Sequence, residues 1–333
     1  LAVGVMAGGV LQLAMQWPFL VRMGVRLKPN FHFRHPGVRR VALLMLPAAF
    51  GAAIYQINLF IGTILASLLP TGSVSYLYYA DRIVELPLGV FAIAVGTATL
   101  PSFSEQVAKG HFEDLKQTIS FSLRIILFIT IPATVALIVL RVSIISVLFQ
   151  RGEFGVQSTL LTAQALLCYA VGLWAFSVIR IIVAAFYSLQ DTKSPMKAAI
   201  VALIVNAVFS VALMFPLKHG GLALATSIAT AVNVGMLWII LRRRIGKILD
   251  RDFYRSLGRT VLASVVMWGI ILLVGLIYPW DTDGPFDSRF IHLMLCVAGG
   301  AGAFFFAAYL LKSPEMTAAV GSIRRRLSPK HPS

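Results

Sequence analysis

The chain has 333 residues, of which 58% are hydrophobic and only 13% are charged, and its formal net charge is +16. A soluble domain carries about 25% charged residues, so this composition excludes an ordinary soluble protein. Apolar stretches of 18 or more residues recur along the chain, and each is long enough to cross a hydrocarbon core about 30 Å thick. The sequence therefore predicts an all-α integral membrane protein, built as a polytopic helical bundle.

Nine apolar segments follow one another, and we predict that each spans the membrane. The first segment opens inside an apolar helix with no charged region or cleavage site before it, so we interpret it as the truncated end of a helix and not as a signal peptide. Breaks rich in Gly, Pro, Asp and Ser separate the segments. The segments are residues 1–21, 41–69, 72–104, 118–140, 156–187, 196–216, 219–241, 257–278 and 290–311.

The basic residues are distributed unequally between the two sides of these segments. When the loops are assigned alternately to two sides, 23 of the 29 Lys and Arg residues fall on one side. The positive-inside rule makes this side cytoplasmic, which places the C-terminus and the basic loop at 242–259 inside. Each Lys or Arg beside a membrane gains about 1 kcal/mol from anionic lipids. We therefore expect anionic membrane lipids as partners and exclude nucleic acid, with recruitment of an acidic protein as the alternative.

Motifs for enzyme or metal chemistry are missing from the sequence. Cys168 and Cys296 lie in apolar segments without a spacing motif and are interpreted as packing residues. The six histidines form no metal-ligand grouping, and neither H-E-x-x-H, G-x-S-x-G nor G-x-x-x-x-G-K occurs. We predict no cofactor, no metal and no enzyme activity. Intramembrane catalysis by Asp81 and Glu85 is conceivable, but no second motif supports it.

Three charged residues lie within the third predicted helix, in the stretch YLYYADRIVELPL: Asp81, Arg82 and Glu85. A charge at the bilayer centre costs about 2.5–3.5 kcal/mol, so such a residue usually faces a cavity or a partner. Spacings of three and four residues bring these side chains together on a helix. They are either a self-neutralising pair that reaches the headgroups, or a site where the forked Arg82 guanidinium holds a phosphate.

Polar and small residues form a stripe along the same helix. Such a stripe is typical of a helix that lines an aqueous cavity or packs closely on another helix, and its polar upper part favours the cavity. The opposite face, which includes Leu77, Val84, Leu88, Phe91 and Val95, suits lipid or packed neighbours. The stripe consists of Ser75, Tyr78, Arg82, Glu85, Gly89, Ala92, Gly96 and Thr99.

A further arginine, Arg180, lies in WAFSVIRIIVAAFY near the middle of its segment, with no acidic residue within one turn. An arginine side chain at that depth can hardly reach the lipid headgroups. We predict that Arg180 faces the same cavity and attracts an anionic substrate, with an ion pair or helix packing as the alternative. The predicted substrate-binding residues are Arg82, Glu85, Asp81, Arg180, Tyr78 and Ser75.

Four strings in the chain carry a resemblance to a known family. In order, they are GSVSYLYYADRIVELPLGVFAIAVGTATLPSFSE, FQRGEFGVQSTLLTAQALLCYAVGL, AAFYSLQDTKSPMKAAIVALIVN and PLKHGGLALATSIATAVN. Together they resemble the MurJ (MviN) lipid II flippases of bacteria, within the multidrug/oligosaccharidyl-lipid/polysaccharide exporter superfamily. The likeness covers nearly the whole chain and is weakest in the last two segments.

The resemblance implies fourteen helices, arranged as two six-helix lobes around a central cavity and two further helices. It divides the chain into the end of a missing first lobe (1–22), a basic cytoplasmic loop (23–40), the second six-helix lobe (41–242), a basic linker (243–256), a two-helix groove for a lipid tail (257–311) and a basic cytoplasmic tail (312–333). A chain without the first lobe is expected to be inactive alone.

The resemblance also implies a function for the complete protein. The family moves lipid II, an undecaprenyl-pyrophosphate-linked disaccharide-pentapeptide, between the leaflets of the bacterial inner membrane by alternating access. In its members, the Arg and Glu at the positions of Arg82 and Glu85 matter for function, and the position of Arg180 is commonly basic. Membrane potential or Na⁺ would drive the cycle.

Some relatives bind sodium in the second lobe, which gives a further expectation for four polar residues. Asn58, Asn206, Ser210 and Thr226 would supply oxygen atoms, but we find no carboxylate on the corresponding helices. We therefore expect these residues to form hydrogen bonds between helices instead.

Two other functions remain open at this stage. One is a related exporter of drugs or of other polyprenyl-linked saccharides, although a cation exporter would need acidic residues to dominate its cavity. The other is a non-transporting scaffold that recruits cell-wall synthesis proteins, which would tolerate the loss of Arg82.

Overall fold

A computed structural model describes residues 2–22, 53–54, 56–282 and 284–316. Within these ranges all regular structure is helical, and seven helices are long and apolar enough to cross a membrane. Each of the nine predicted segments contains a described helix, which confirms the polytopic helical bundle. The predicted basic loop at 23–40 and most of the predicted tail at 312–333 lie outside the described residues.

The helices begin and end close to the predicted boundaries. Residues 1–48 form a separate unit whose described part is one apolar helix, α1, with Pro18 inside it. The helices are α1 (Ala2–Arg22), α2 (Gln56–Ser67), α3 (Ser73–Pro87), a π-helical turn (Leu88–Ala92), α4 (Ile93–Ala108), α5 (Phe112–Val139), α6 (Arg141–Phe149), α7 (Val156–Ser188), α8 (Lys193–Leu217), α9 (His219–Ile245), α10 (Arg251–Ile277) and α11 (Phe286–Leu310).

Two helices start earlier than their apolar segments because polar residues stabilise their first turns. Glu113 and Asp114 lie in the first turn of α5, where negative charge interacts favourably with the helix dipole. Asp250 precedes α10, and its carboxylate accepts a hydrogen bond from the Phe253 backbone N–H at 2.8 Å. Hydrophobicity therefore predicts where these helices cross the membrane, whereas capping determines where they begin.

Helix α7 is the centre of the bundle and packs against α3, α4, α5, α6 and α9. Small residues on α7 allow this close packing. A Cβ atom at Gly172 would lie 2.6 Å from the Ser227 Cβ on α9, so only glycine fits at this crossing. The Ser227 hydroxyl donates a hydrogen bond to the Cys168 carbonyl of α7 at 2.8 Å, which adds a polar contact.

Helices α10 and α11 form an antiparallel pair that packs against α5 and α6. The Phe128 and Phe304 rings, from α5 and α11, lie 5.1 Å apart. A Cβ atom at Gly300 would lie 3.0 Å from the Ile271 side chain, which brings α10 and α11 close together. The two-helix pair is therefore joined to the rest of the bundle through α5 and α6.

The helix ends define two faces of the bundle. One face, which we call the basic face, carries the connections at 109–111, 189–192 and 246–250 and the end of α11. On this face, Asp191 accepts hydrogen bonds from the Ser194 backbone N–H and hydroxyl and pairs with Arg244 at 2.6 Å. This contact joins the start of α8 to the end of α9.

The pKa of Asp191 leads to a prediction about acid stability. Burial raises this pKa, but the Ser194 hydrogen bonds and the Arg244 guanidinium outweigh burial and hold it below its usual value. A lowered pKa stabilises the folded state above the unfolded pKa of about 3.9, and the stabilisation is lost as pH falls through the folded pKa. We expect Asp191→Asn to lower the thermal unfolding temperature at neutral pH, with a smaller difference from wild type in acid.

The control for Asp191 is Glu153→Gln, in the connection between α6 and α7. Glu153 is exposed, and no ion pair involves it within the described residues. The measurement is the thermal unfolding temperature of both variants and wild type across the acidic pH range. Only Asp191→Asn should show a difference from wild type that shrinks as the pH falls. If the unfolding temperatures of wild type and Asp191→Asn depend on pH in the same way, the stabilising role of the Asp191 carboxylate is contradicted.

Candidate anion-binding site

The helix that carries Arg82 starts at a tight turn. Gly72 has φ +95°, a left-handed conformation in which a side chain is disfavoured. A Cβ atom there would also lie 2.6 Å from the Tyr76 hydroxyl. The turn orients α3 so that Ala80 and Val84 are buried against the core around α7. Burial of this side directs Arg82 away from the core.

The Arg82 guanidinium is held by neighbours on its own helix. Its Nη1 donates a hydrogen bond to Glu85 Oε2 at 2.6 Å, and its Nη2 lies 3.9 Å from Asp81 Oδ2. Its Cζ lies 5.0 Å from the centre of the Tyr78 ring, which is within the range of a cation–π contact. The Arg82 side chain nevertheless remains 51% exposed. The group is therefore preoriented, and part of it is accessible to a ligand.

Of the four other predicted cavity residues on this helix, Tyr78, Asp81 and Glu85 lie beside Arg82, and Ser75 lies two turns earlier on the same side. Ser75 and Tyr78 are exposed, and Asp81 and Glu85 are partly exposed. The neighbouring Tyr79 points elsewhere, into an aromatic cluster with the Phe149 and Phe154 rings at 4.7 and 5.5 Å. Sequence reasoning predicted the local grouping because it follows from helical spacing alone.

A π-helical turn at Leu88–Ala92 interrupts the stripe. A π turn contains an extra residue, so the residues beyond it are rotated by about 100° from the α-helical register. Ala92, expected on the stripe, is fully buried. A Cβ atom at Gly96 would lie 3.6 Å from the Arg180 Cβ, so the helix packs against α7 here. The exposed stripe is continuous from Ser75 to Gly89 but not beyond.

Arg180 is exposed beside this same helix, although at a different depth. No hydrogen bond or ion pair of Arg180 occurs within the residues that the structure describes. It lies eight residues before the end of α7, nearer the basic face than the mid-helix position expected. Gly96, its neighbour, is fourteen residues after Arg82, which corresponds to roughly 20 Å along the helix. Arg82, on α3, and Arg180, on α7 beside α4, are thus attached at two different depths of the bundle.

Three of the four residues considered for sodium come together between α2 and α8. Asn206 Nδ2 donates to Asn58 Oδ1 at 2.5 Å, and the Ser210 hydroxyl donates to Asn206 Oδ1 at 3.1 Å. Thr226 donates within its own helix, to the Leu222 carbonyl. Both amide oxygens already accept hydrogen bonds, and no carboxylate joins them in these contacts, so the arrangement does not fit a cation site. The contacts support the hydrogen-bonding interpretation.

A buried carboxylate at the basic face was missed by the sequence analysis. Glu315 follows α11, and its side chain is 2% exposed. It accepts hydrogen bonds from the Ser256 and Ser313 hydroxyls at 2.7 Å each, and lies 3.7 Å from the Nε of Arg124. A buried charge needs such partners. The contact joins α5, α10 and the segment after α11, whereas the sequence placed Arg124 within the predicted segment 118–140 and Glu315 in the predicted tail at 312–333.

An apolar cavity of about 280 Å³ lies beside the π turn. Phe91 of the π turn, Phe128 and Pro132 of α5, Met267 of α10 and Phe304 of α11 contribute to its lining. The helix that carries Arg82 and the α10–α11 pair therefore share an apolar cleft.

The helical bundle has the fold of known membrane proteins. The bundle has the fold of a MOP superfamily transporter from Pyrococcus furiosus, with a TM-score of 0.53 at 16% identity, over 82% of this chain and 65% of that one. The likeness concerns the arrangement of the helices, on which Arg82 and Arg180 are exposed.

The chain belongs to the lipid II flippase MurJ family, whose model matches residues 1–283. It is 38% identical to a probable lipid II flippase MurJ from Vibrio cholerae, over 82% of this chain and 52% of that protein. A Rhizobium tropici relative of the same description is 35% identical over 99% of this chain and 61% of its own length.

A solved structure of a lipid II flippase MurJ in an inward closed conformation matches with a TM-score of 0.71. The identity is 26%, over 89% of this chain and 59% of that one. The chain thus spans between half and two thirds of the length of these relatives.

Proposed function

We propose that the complete protein is a flippase that moves lipid II from the inner to the outer leaflet of the bacterial cytoplasmic membrane. Family membership supports this, since the matched relatives are described as lipid II flippases. The observation that carries the proposal is the guanidinium of Arg82, half-exposed and preoriented within a spanning helix. A pyrophosphate crossing the membrane needs such a group in place of its lost hydration.

Glu85 accepts a 2.6 Å hydrogen bond from the Arg82 guanidinium. A phosphate that approaches the open side competes for the same donors, because guanidinium binds phosphate and carboxylate with the same two-pronged geometry. Release of Glu85 would offset part of the gain from binding, so the anion is held without being trapped. Asp81 and Tyr78 keep the guanidinium in place during the exchange.

Arg180 gives the anion a second position nearer the basic face. Because the backbone positions of Arg82 and of Gly96, the neighbour of Arg180, lie roughly 20 Å apart along the helix, we expect a phosphate group to contact the two arginines in turn. We assign Arg180 to the first encounter with the pyrophosphate, from the basic face, and Arg82 to the stage nearer the opposite face. The cavity wall opposite this helix would come from the first lobe of the complete protein.

The apolar cleft beside the π turn suits the prenyl tail. The tail has no charge to neutralise, so it can remain against apolar residues of α5, α10 and α11 while the headgroup passes the arginines. This assignment gives residues 257–311 the role of a tail groove and residues 41–242 the role of the second lobe.

The basic face is assigned to the cytoplasm by the positive-inside rule, which places the C-terminus in the cytoplasm. With a negative interior, outward movement of the anionic headgroup is favoured by about 2.3 kcal/mol per charge per 100 mV. We therefore assign the membrane potential as the driving force, with coupling to Na⁺ as the alternative. Cell-wall synthesis proteins would consume the product at the outer leaflet.

The role of Arg180 is tested with Arg180→Gln in the full-length protein. Loss of a hydrogen bond to a charged group costs about 1.5–3 kcal/mol, so we expect outer-leaflet lipid II to fall about 10- to 100-fold. The measurement is the fraction of lipid II that an externally added enzyme cleaves at its pyrophosphate, in cells that depend on the variant.

The control for Arg180 is Arg151→Gln, an exposed arginine in the connection between α6 and α7. It removes the same charge outside the spanning helices and should leave transport near the wild-type level. Normal transport by Arg180→Gln at normal abundance would remove Arg180 from the proposed path.

A further inference from the structure

A second apolar groove lies between α9 and α10, away from the Arg82 face. These two helices follow each other in sequence, yet α9 packs against α7 and α8, whereas α10 packs against α5 and α11. The space between them, which we call the α9–α10 groove, has a volume of about 390 Å³. Val234 and Trp238 of α9 and Phe253 of α10 contribute to its walls, with Leu127 of α5 and Val178 of α7 behind them.

The length of the α9–α10 groove matches one leaflet. Its lining along α5 extends from Leu123 to Val135, which corresponds to roughly 18 Å of helix. Half of a hydrocarbon core about 30 Å thick is of similar depth. The groove starts at the basic face, where Leu249 and Phe253 line it, so it lies within the leaflet on that side.

Positive charge flanks the groove where it meets the basic face. Lys247 and Arg251 lie two residues on either side of Leu249, and both are exposed. Neither has an ion-pair partner among the residues that the structure describes. Two basic neighbours are paired instead, Arg244 with Asp191 and Arg255 with Asp252, whereas Arg242 and Arg243 at the end of α9 are exposed as well. The nearby Asp250 carboxylate accepts the Phe253 backbone hydrogen bond that caps α10.

We propose that the α9–α10 groove binds one acyl chain of an anionic phospholipid, with the lipid phosphate between Lys247 and Arg251. The apolar walls match an acyl chain in polarity and length, and the two unpaired cations match a negative headgroup in charge. The bound lipid would fill the space between the six-helix lobe and the α10–α11 pair. The site is separate from the Arg82 face and does not depend on the proposed transport function.

Quenching of Trp238 fluorescence by brominated lipids tests the site in the full-length protein. The protein is reconstituted in phosphatidylcholine vesicles that contain a minor fraction of acyl-brominated phosphatidylglycerol or acyl-brominated phosphatidylcholine. The Trp238 contribution is the quenching that disappears in Trp238→Phe. Each basic residue near a membrane surface favours anionic lipid about fivefold, so we expect phosphatidylglycerol to associate markedly more tightly.

The double variant Lys247→Gln/Arg251→Gln should bring phosphatidylglycerol quenching down to the phosphatidylcholine level. Its matched control is Lys193→Gln/Lys197→Gln, which removes two exposed charges from α8, a helix that contributes no lining to the groove. Both pairs are exposed, so folding should be preserved.

Three outcomes would overturn the proposal. The first is equal quenching of Trp238 by the two lipids in wild type. The second is an equal loss of phosphatidylglycerol quenching in the control variant Lys193→Gln/Lys197→Gln. The third is displacement of the brominated lipid by added lipid II, which would make the groove a binding site for the substrate tail. The test also separates this site from the transport proposal, because a protein with Arg82→Ala should retain the phosphatidylglycerol preference even where transport is lost.

Discussion

Arg82→Ala in the full-length protein is expected to stop lipid II from reaching the outer leaflet while membrane abundance stays normal. The side chain is half-exposed and packs on Tyr78 and Glu85 of its own helix, so its removal leaves no cavity in the core. It does remove the guanidinium proposed to bind the pyrophosphate. Cleavage of lipid II by an externally added enzyme measures the effect. We expect a fall of about 100-fold or more, because the two-pronged contact contains two charged hydrogen bonds of about 1.5–3 kcal/mol each.

Arg82→Lys separates charge from geometry at the same position. An ammonium group keeps the charge but cannot form the two-pronged contact, so we expect partial recovery of transport. Full recovery would mean that charge alone is sufficient. If Arg82→Ala exports the precursor normally at normal abundance, the proposed anion-binding site is contradicted. A scaffold, which needs no cavity, would then be favoured.

Gly221→Ala is expected to destabilise the bundle more than other glycine changes on α9. A single residue, Lys218, separates α8 from α9, so the two helices meet at a very tight turn. A Cβ atom at Gly221 would lie 2.5 Å from the Leu213 carbonyl carbon, and this backbone cannot move without separating the helices. Overpacking of this kind costs roughly 1–3 kcal/mol. Thermal unfolding of the purified protein in detergent measures the loss.

Gly235→Ala, on the same helix, is the matched control for Gly221. A Cβ atom there would meet nothing within 4 Å. Alanine also has a higher helix propensity than glycine, so this change should leave stability unchanged or raise it. If the two variants unfold at the same temperature, the close crossing of α8 and α9 is wrong.

Much of the fold was predictable because the membrane restricts it so strongly. A spanning helix needs about 20 apolar residues, and irregular backbone is costly in lipid, so apolar length alone located α5, α7, α8 and α9. The pairing of Arg82 with Glu85 was predictable for a related reason, since residues three apart on a helix are neighbours.

Contacts between distant segments were not predictable in the same way. Arg124 lies in the predicted segment 118–140 and Glu315 in the predicted tail at 312–333, and nothing in the sequence pairs them. Their contact exists only because α5, α10 and the end of α11 pack together. The π turn at Leu88–Ala92 likewise leaves no periodic signal, yet it rotates Ala92 into the core and Gly96 against Arg180.

The sequence by itself determined the class of protein, the number of apolar segments, the uneven distribution of basic residues and the local charged group around Arg82. These properties depend on composition and on neighbours within one or two helical turns. Only the tertiary structure decided the depth of Arg180 relative to Arg82, the burial of Glu315 and the grooves beside α10. Those features depend on which helices pack together, and that choice is made by small residues such as Gly172 and Gly221, where backbones approach closely.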